Sequence, residues 1–179
     1  MNQVNDFARR ASALEWLLFD VDGVMTDGRL HYTERGEETK LFNVRDGLGI
    51  RLAQRVGLHL GILSGRSGPA LERRARELDF EVLMVGSRDK VADLEVFCVE
   101  HETSAERVAY IGDDLQDLGV LGRCGLSFAP ADAAPEVRDT VDCVLDASGG
   151  GGAVREMIER LLVARGEWDS ILAHFRGEG

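Results

Sequence analysis

Two aspartates, one residue apart, close an apolar run near the start of the chain: residues 16–28 read WLLFDVDGVMTDG. Acids form strands poorly and are costly to bury, so Asp20 and Asp22 need a reason to stand there. Residues i and i+2 share one face of an extended strand. Both carboxylates are therefore expected to look into one site before Gly23 turns the chain. Carboxylates that close repel unless a cation or a proton compensates them. A second acidic group, Gly112-Asp113-Asp114 with Asp117 three residues on, follows another apolar run. Donors come from elsewhere. Ser64-Gly65-Arg66 offers a hydroxyl and a backbone N–H free to approach an anion, and Arg88 and Lys90 follow a third run. Lys90 opens a predicted helix, where positive charge opposes the macrodipole. That misfit points to pairing with a phosphate or with Asp20.

Each residue alone reads as a loop acid, a helix cap or a surface cation. Together they spell phosphoryl transfer. Mg²⁺ takes oxygen ligands and suits the acids. Asp20 would attack phosphorus and form an aspartyl-phosphate. Mg²⁺ and Lys90 would neutralise the transferring oxygens. Asp22 would protonate the leaving alkoxide and then activate water.

The elements that must position these groups alternate regularly. Apolar runs predict strands over 16–21, 58–63, 81–85, 107–111, 126–129 and 143–145. Between and after them, helical patterns cover 48–55, 69–78, 90–100, 115–122, 134–139, 153–165 and 167–174. This alternation predicts an α/β fold, a doubly wound and mostly parallel sheet covered on both faces. Ligands in such sheets bind beyond the carboxyl ends of the strands, where four of these strand ends carry the polar residues. One segment breaks the rhythm. Residues 29–44, RLHYTERGEETKLFNV, alternate around Arg35-Gly36 and predict an inserted β-hairpin. Leu30, Tyr32, Leu41 and Phe42 give it an apolar face that needs a partner, either the parent domain or another subunit. Residues 1–179 are read as one domain: a core over about 14–165, the hairpin, and a C-terminal helix and tail over 167–179.

Composition narrows the partners. The net charge of -11 disfavours binding to a phosphate backbone. Only Lys40 and Lys90 among the 21 basic residues are lysines, which marks both for attention. Cys98, Cys124 and Cys143 have neither zinc nor disulfide spacing and read as reduced thiols. No apolar stretch is long enough to cross a bilayer, and none follows the first arginines as a secretory signal would require. The expected location is cytoplasmic. Ser64 lacks a nucleophile-elbow context, and the four histidines are dispersed. Ser148 and the four glycines after it read as a turn or as a close backbone approach.

In order, DVDGVMTDG, LSGR, Lys90 and GDDLQD resemble the four motifs of the haloacid dehalogenase superfamily of phosphatases. FNVRDGLGI (42–50), VAYIGDDL and GGAVRE are further similar to stretches of its capless subfamily, which acts on 3-deoxy-D-manno-octulosonate 8-phosphate in lipopolysaccharide precursor synthesis. The resemblance covers about 14–165. It implies Mg²⁺ held by the Asp20 side chain, the Asp22 backbone carbonyl and Asp113, with Asp114 and Asp117 supporting the metal shell. It implies phosphate contacts from Ser64 and Lys90, and substrate contacts from Arg45, Asp46, Gly47, Gly65 and Arg66. It also implies a homotetramer built through the hairpin. Arg45, Arg66 and Arg88 would suit the carboxylate of a nine-carbon ulosonate 9-phosphate equally well. Gly151 stands where some relatives carry a basic residue. Two other classes fit the residues less well. A signalling receiver needs an acid after the third strand, where this chain has Gly86-Ser87. A non-catalytic assembly module would be expected to lose motif residues, and here all are present.

Overall fold

The computed structural model describes residues 3–178. Its main sheet has six strands: β1 (Trp16–Phe19), β4 (His59–Ser64), β5 (Val82–Val85), β6 (Val108–Ile111), β7 (Leu126–Ala129) and β8 (Cys143–Val144). Their spatial order is β5-β4-β1-β6-β7-β8, and every pairing is parallel. From β1 the chain builds outward first through β4 and β5, then returns to build the other side. The order therefore reverses at β1, and the crevice beyond its carboxyl end is where this architecture binds ligands.

The pleat divides the core in two. In β1, Leu17 and Phe19 join one buried cluster while Trp16 and Leu18 join the other. The first cluster is covered by α1 (Gln3–Ala13), α2 (Val44–Arg55), α3 (Pro69–Glu77), α7 (Ala153–Ala164) and α8 (Trp168–Arg176). The second is covered by α4 (Lys90–Glu100), α5 (Leu118–Leu121) and α6 (Pro135–Arg138). Strands buried on both faces need continuous apolar runs, which is what WLLF and VAYI supply.

The inserted hairpin is present but short. β2 (His31–Tyr32) and β3 (Glu38–Thr39) pair antiparallel, with Tyr32 opposite Glu38. Gly36 turns the tip at φ 78°.

Four elements differ from the sequence expectation. Helix α2 starts at Val44 rather than 48, because Asn43 caps it by accepting the Arg45 N–H at 2.8 Å. β1 stops at Phe19 rather than 21: the N–H groups of Val24, Met25 and Thr26 all turn back onto the Val21 carbonyl. The segment expected as one helix over 115–122 is a 3₁₀ turn (Leu115–Asp117) leading into α5. Helix α1 was not anticipated at all. Its signal is the spacing of Phe7, Ala11 and Leu14 along one face. Phe7 packs edge-on against Phe128 at 6.1 Å, and Arg10 forks onto Asp142 with two 2.7 Å bonds.

Candidate active site

Asp20 follows the last residue of β1, and its N–H continues the ladder onto the Ile111 carbonyl at 3.0 Å. Its side chain is buried at the sheet's switch point, with Lys90 Nζ 3.0 Å from Oδ2. Lys90 arrives from the first turn of α4, whose positive end is capped by Asp89 accepting from Val91 and Ala92. The misfit of a lysine at a helix start is thereby resolved. Its side chain runs inward, 3% exposed, to meet carboxylates.

Asp117 lies beneath them, fully buried, and it is saturated. Oδ1 accepts from Lys90 at 2.7 Å and from the Tyr110 hydroxyl at 2.6 Å. Oδ2 accepts from the N–H groups of Asp113 and Asp114 at 3.0 and 3.2 Å. Four donors leave Asp117 no lone pair well placed for a cation, so it buttresses the Gly112-Asp113-Asp114 turn instead. Tyr110 is wholly buried on β6 and touches Lys90 as well, at 3.2 Å. The motif reading passed over it because a tyrosine within a core strand looks like packing. The available signal was its hydroxyl, which a buried position must satisfy.

Carboxylate oxygens of Asp20, Asp113 and Asp117 come within 4.8 Å of one another. Asp113 Oδ1 is buried with no hydrogen-bond partner, and Asp20 Oδ2 is buried with only the Lys90 ammonium, 3.0 Å away, facing it. Burial pushes the Asp113 carboxyl up to about 8, and Asp20, Asp117 and Asp114 push it in the same direction. Burial also raises Asp20, against the pull of Lys90. Crowded, orphaned oxygens of this kind fit a hard divalent cation, which removes the repulsion that otherwise favours a proton. Asp113 has a free oxygen for it and Asp20 lies within reach, opposed only by Lys90; Asp114 is exposed and caps the following turn through Leu115 N–H.

Asp22 departs from the geometry expected of it. Since β1 has already ended, it does not share an extended-strand face with Asp20. It meets a different set of partners, brought by the hairpin and by the loop after β4. Lys40 Nζ closes on Asp22 Oδ1 and lies 2.9 Å from Glu38 Oε1. Arg66 bonds Glu38 Oε2 at 2.8 Å and lies 3.5 Å from Asp22 Oδ2. Acid and base alternate around this ring of four. Glu38 and Lys40, two apart on the returning hairpin arm, present one face to it. Lys40 is 4% exposed in its side chain.

Ser64 ends β4, buried, with its hydroxyl accepting the Arg66 N–H at 3.4 Å. Gly65 lies beside it, close to Ser87 and Gln116. The remaining substrate candidates scatter. Arg45 and Arg88 are exposed. Asp46 is buried away from solvent, caps α7 by accepting the Arg155 N–H at 2.8 Å, and is pushed by burial up to about 6. Gly47 packs under Arg74, where a Cβ would stand 2.5 Å from Nη2. Asp46 and Gly47 thus join helices α2, α3 and α7.

The glycine-rich turn is a close backbone approach. Gly150 N–H bonds the Val24 carbonyl at 2.9 Å, and a Cβ on Gly149 would fall 1.8 Å from the Gly23 carbonyl oxygen. Gly23 is itself confined: its φ is 84°, and a Cβ there would fall 2.0 Å from Asp113 Oδ2.

Comparison with known proteins agrees with this arrangement. Residues 80–158 match the family described as haloacid dehalogenase-like hydrolase. The 3-deoxy-D-manno-octulosonate 8-phosphate phosphatase of Haemophilus influenzae is 43% identical over 154 residues, 86% of each chain. The chain belongs to the haloacid dehalogenase-like hydrolases. Among solved members of that family, the same enzyme from Moraxella catarrhalis, in complex with magnesium ion, phosphate ion and KDO, superposes with a TM-score of 0.93. It is 34% identical, with 96% of this chain and 98% of that one covered. The cobalt-bound Haemophilus influenzae enzyme gives a TM-score of 0.85 at 42% identity, covering 89% and 93%. In this haloacid dehalogenase-like hydrolase no described helix is long and apolar enough to cross a membrane.

Proposed function

We propose that the chain is a Mg²⁺-dependent phosphoric monoester hydrolase that converts 3-deoxy-D-manno-octulosonate 8-phosphate to the free sugar acid and phosphate. The observation that carries the reaction type is Asp20: a buried carboxylate at the switch point, gripped by Lys90 on one oxygen and crowded by Asp113. The octulosonate is supported by relatives of that name at about this chain's full length.

In this reading an Asp20 oxygen attacks phosphorus, the P–O bond to the sugar breaks, and Asp22 gives its proton to the departing alkoxide. Water then attacks the aspartyl-phosphate, Asp22 takes its proton, and phosphate leaves with Asp20 restored. Lys90 and the Ser64 hydroxyl hold the phosphoryl oxygens. Mg²⁺ would sit between Asp20, Asp113 and the Asp22 carbonyl and add positive charge where the phosphoryl group is transferred. Arg66 is the candidate for the sugar acid's carboxylate.

The whole chain acts here as one domain in the cytoplasm. Assembly into a homotetramer rests on the family resemblance; the hairpin and the start of α2, where Leu30, Tyr32, Leu41, Val44 and Leu48 are all exposed, supply apolar surface for a partner. Light scattering of the purified protein gives the mass, and Tyr32→Glu with Leu41→Glu should break it down to smaller species.

Substrate identity is tested by phosphate release with Mg²⁺ from the eight-carbon 8-phosphate and from a nine-carbon ulosonate 9-phosphate. Preference for the first is expected. Preference for the second would replace the substrate, and inactivity on all sugar phosphates would leave only an assembly module.

A further inference from the structure

The chain has two lysines, and the proposed chemistry uses one. The other, Lys40, lies on the hairpin, outside the four motifs, yet it is nearly as buried as Lys90: side-chain exposures are 4% and 3%. A lysine on a small two-stranded insert ordinarily extends into water. This one is folded back under the hairpin and spans Asp22 and Glu38.

Its effect on Asp22 is selective between the two oxygens. Lys40 occupies Oδ1. Oδ2 is buried without a hydrogen-bond partner, and Arg66 stands off at 3.5 Å. One oxygen is therefore anchored and the other is available. Glu38 completes the arrangement by holding both cations, at 2.9 Å for Lys40 and 2.8 Å for Arg66. Both ion pairs of Lys40 are to carboxylates, Asp22 and Glu38. What it does is fix where the carboxylate of Asp22 points.

We propose that Lys40 is a positioning residue for Asp22, anchoring Oδ1 so that Oδ2 is the oxygen that exchanges a proton with the leaving group. The two lysines then divide the pair between them: Lys90 serves the nucleophile from below, Lys40 serves the proton carrier from the hairpin. The inference rests on the phosphatase reading above, and it concerns leaving-group chemistry that any alkyl phosphate shares.

Leaving-group dependence gives the test. Expelling an alkoxide needs a proton, whereas p-nitrophenolate leaves without one. Wild type, Lys40→Met and Lys40→Arg are compared with saturating Mg²⁺ on the octulosonate 8-phosphate and on p-nitrophenyl phosphate. The readout is kcat/KM, which reports the first transfer alone. Lys40→Met, which keeps most of the stem, should lose on the order of tenfold on the alkyl ester, a fraction of the full worth of general acid catalysis. On the aryl ester it should lose less than about threefold, and Lys40→Arg should recover part of the alkyl loss. Equal losses on both esters would mean that Lys40 only supports the fold, and the inference fails. It fails as well if KM for the octulosonate rises at unchanged kcat, since that marks a direct substrate contact, or if neither ester is affected. Wild type inert on the octulosonate but active on another sugar phosphate removes the substrate reading alone. The comparison is then made on that ester.

Discussion

The site has two halves, each built around one lysine, and they are held by different means. Around Lys90 everything is set by the sheet. Asp20 follows β1, Tyr110 lies in β6, Asp117 lies in the turn beyond it, and all three are buried. Around Lys40 nothing belongs to the sheet. Asp22 sits in the turn after β1, Glu38 and Lys40 in the hairpin, and Arg66 in the loop after β4 with 43% of its side chain exposed. The pairing chemistry is the same, but the surroundings differ. In the first half a removed partner leaves charges that water cannot reach. In the second a spare cation and nearby solvent absorb the loss. A rigid half suits a nucleophile that must meet phosphorus in line, and an adaptable half suits a group that must serve a departing alcohol and then a water.

That contrast can be broken at several points. The largest effect falls on Asp20→Asn, which should lower kcat by on the order of 10³-fold or more on every substrate. Asp22→Asn should be comparably damaging on sugar phosphates and much milder on p-nitrophenyl phosphate. Equal damage from both variants on the aryl ester would erase the division of labour. Next comes stability measured by urea denaturation. Lys90→Met strands Asp20 and Asp117 and should cost about 3 kcal/mol. Lys40→Met should cost ~1 kcal/mol, because Arg66 still faces Asp22 and Glu38.

Metal sharpens the contrast further. The Asp113 carboxyl is pushed up to about 8 in the folded protein from a usual value of 3.8, so the folded state binds its proton more tightly than the unfolded chain. Metal-free protein should therefore be most stable at the acid end of this range and lose stability as pH rises from about 4 toward 8. Mg²⁺ takes over from the proton, so its stabilisation should grow with pH and reach about 2.7 kcal/mol at a hundred times its Kd. Denaturation midpoints with EDTA and with Mg²⁺ at pH 6 and pH 8 measure this. Asp113→Asn should abolish the Mg²⁺ effect, while Lys40→Met should leave it unchanged. An effect no larger than that of Lys40→Met belongs to Tyr110→Phe, which deletes one hydroxyl bonded to Asp117 and Lys90. It should lower kcat about tenfold at constant KM and cost ~1 kcal/mol.

How well each half could be read from sequence follows the same line. Asp20, Asp113, Ser64 and Lys90 were legible because each sits where a strand or helix makes it an anomaly: an acid closing an apolar run, a cation at a positive helix end. The regular α/β alternation gave the sheet and its polar mouth. The hairpin half resisted. Placing Asp22 beside Asp20 assumed an extended strand through residue 22, but the chain coils onto the Val21 carbonyl after Phe19. Lys40 was noted for rarity alone, since no periodicity tells which way a two-residue strand will face. Asp46 and Gly47 were expected at the substrate through the family resemblance, and no helix was expected to contain them. The Asn43 cap moves them into the first turn of α2, where they brace α7 and α3. Helix α1 was lost for a plainer reason: three apolar positions among many polar ones are a thin signal.

The contact between the glycine-rich turn and the loop after β1 has a consequence for how this enzyme can vary. Gly149 has no room for a methyl group because the Gly23 carbonyl is there, and Gly23 has none because Asp113 is there. Any bulk added at position 149 is transmitted through Gly23 to the Asp113 carboxylate, the proposed metal ligand. In a saturation-mutagenesis survey, this stretch far downstream in the chain should score with the catalytic aspartates. Its neighbour Gly152, with nothing within 4 Å of a Cβ, would be limited only by its backbone angle of 115°.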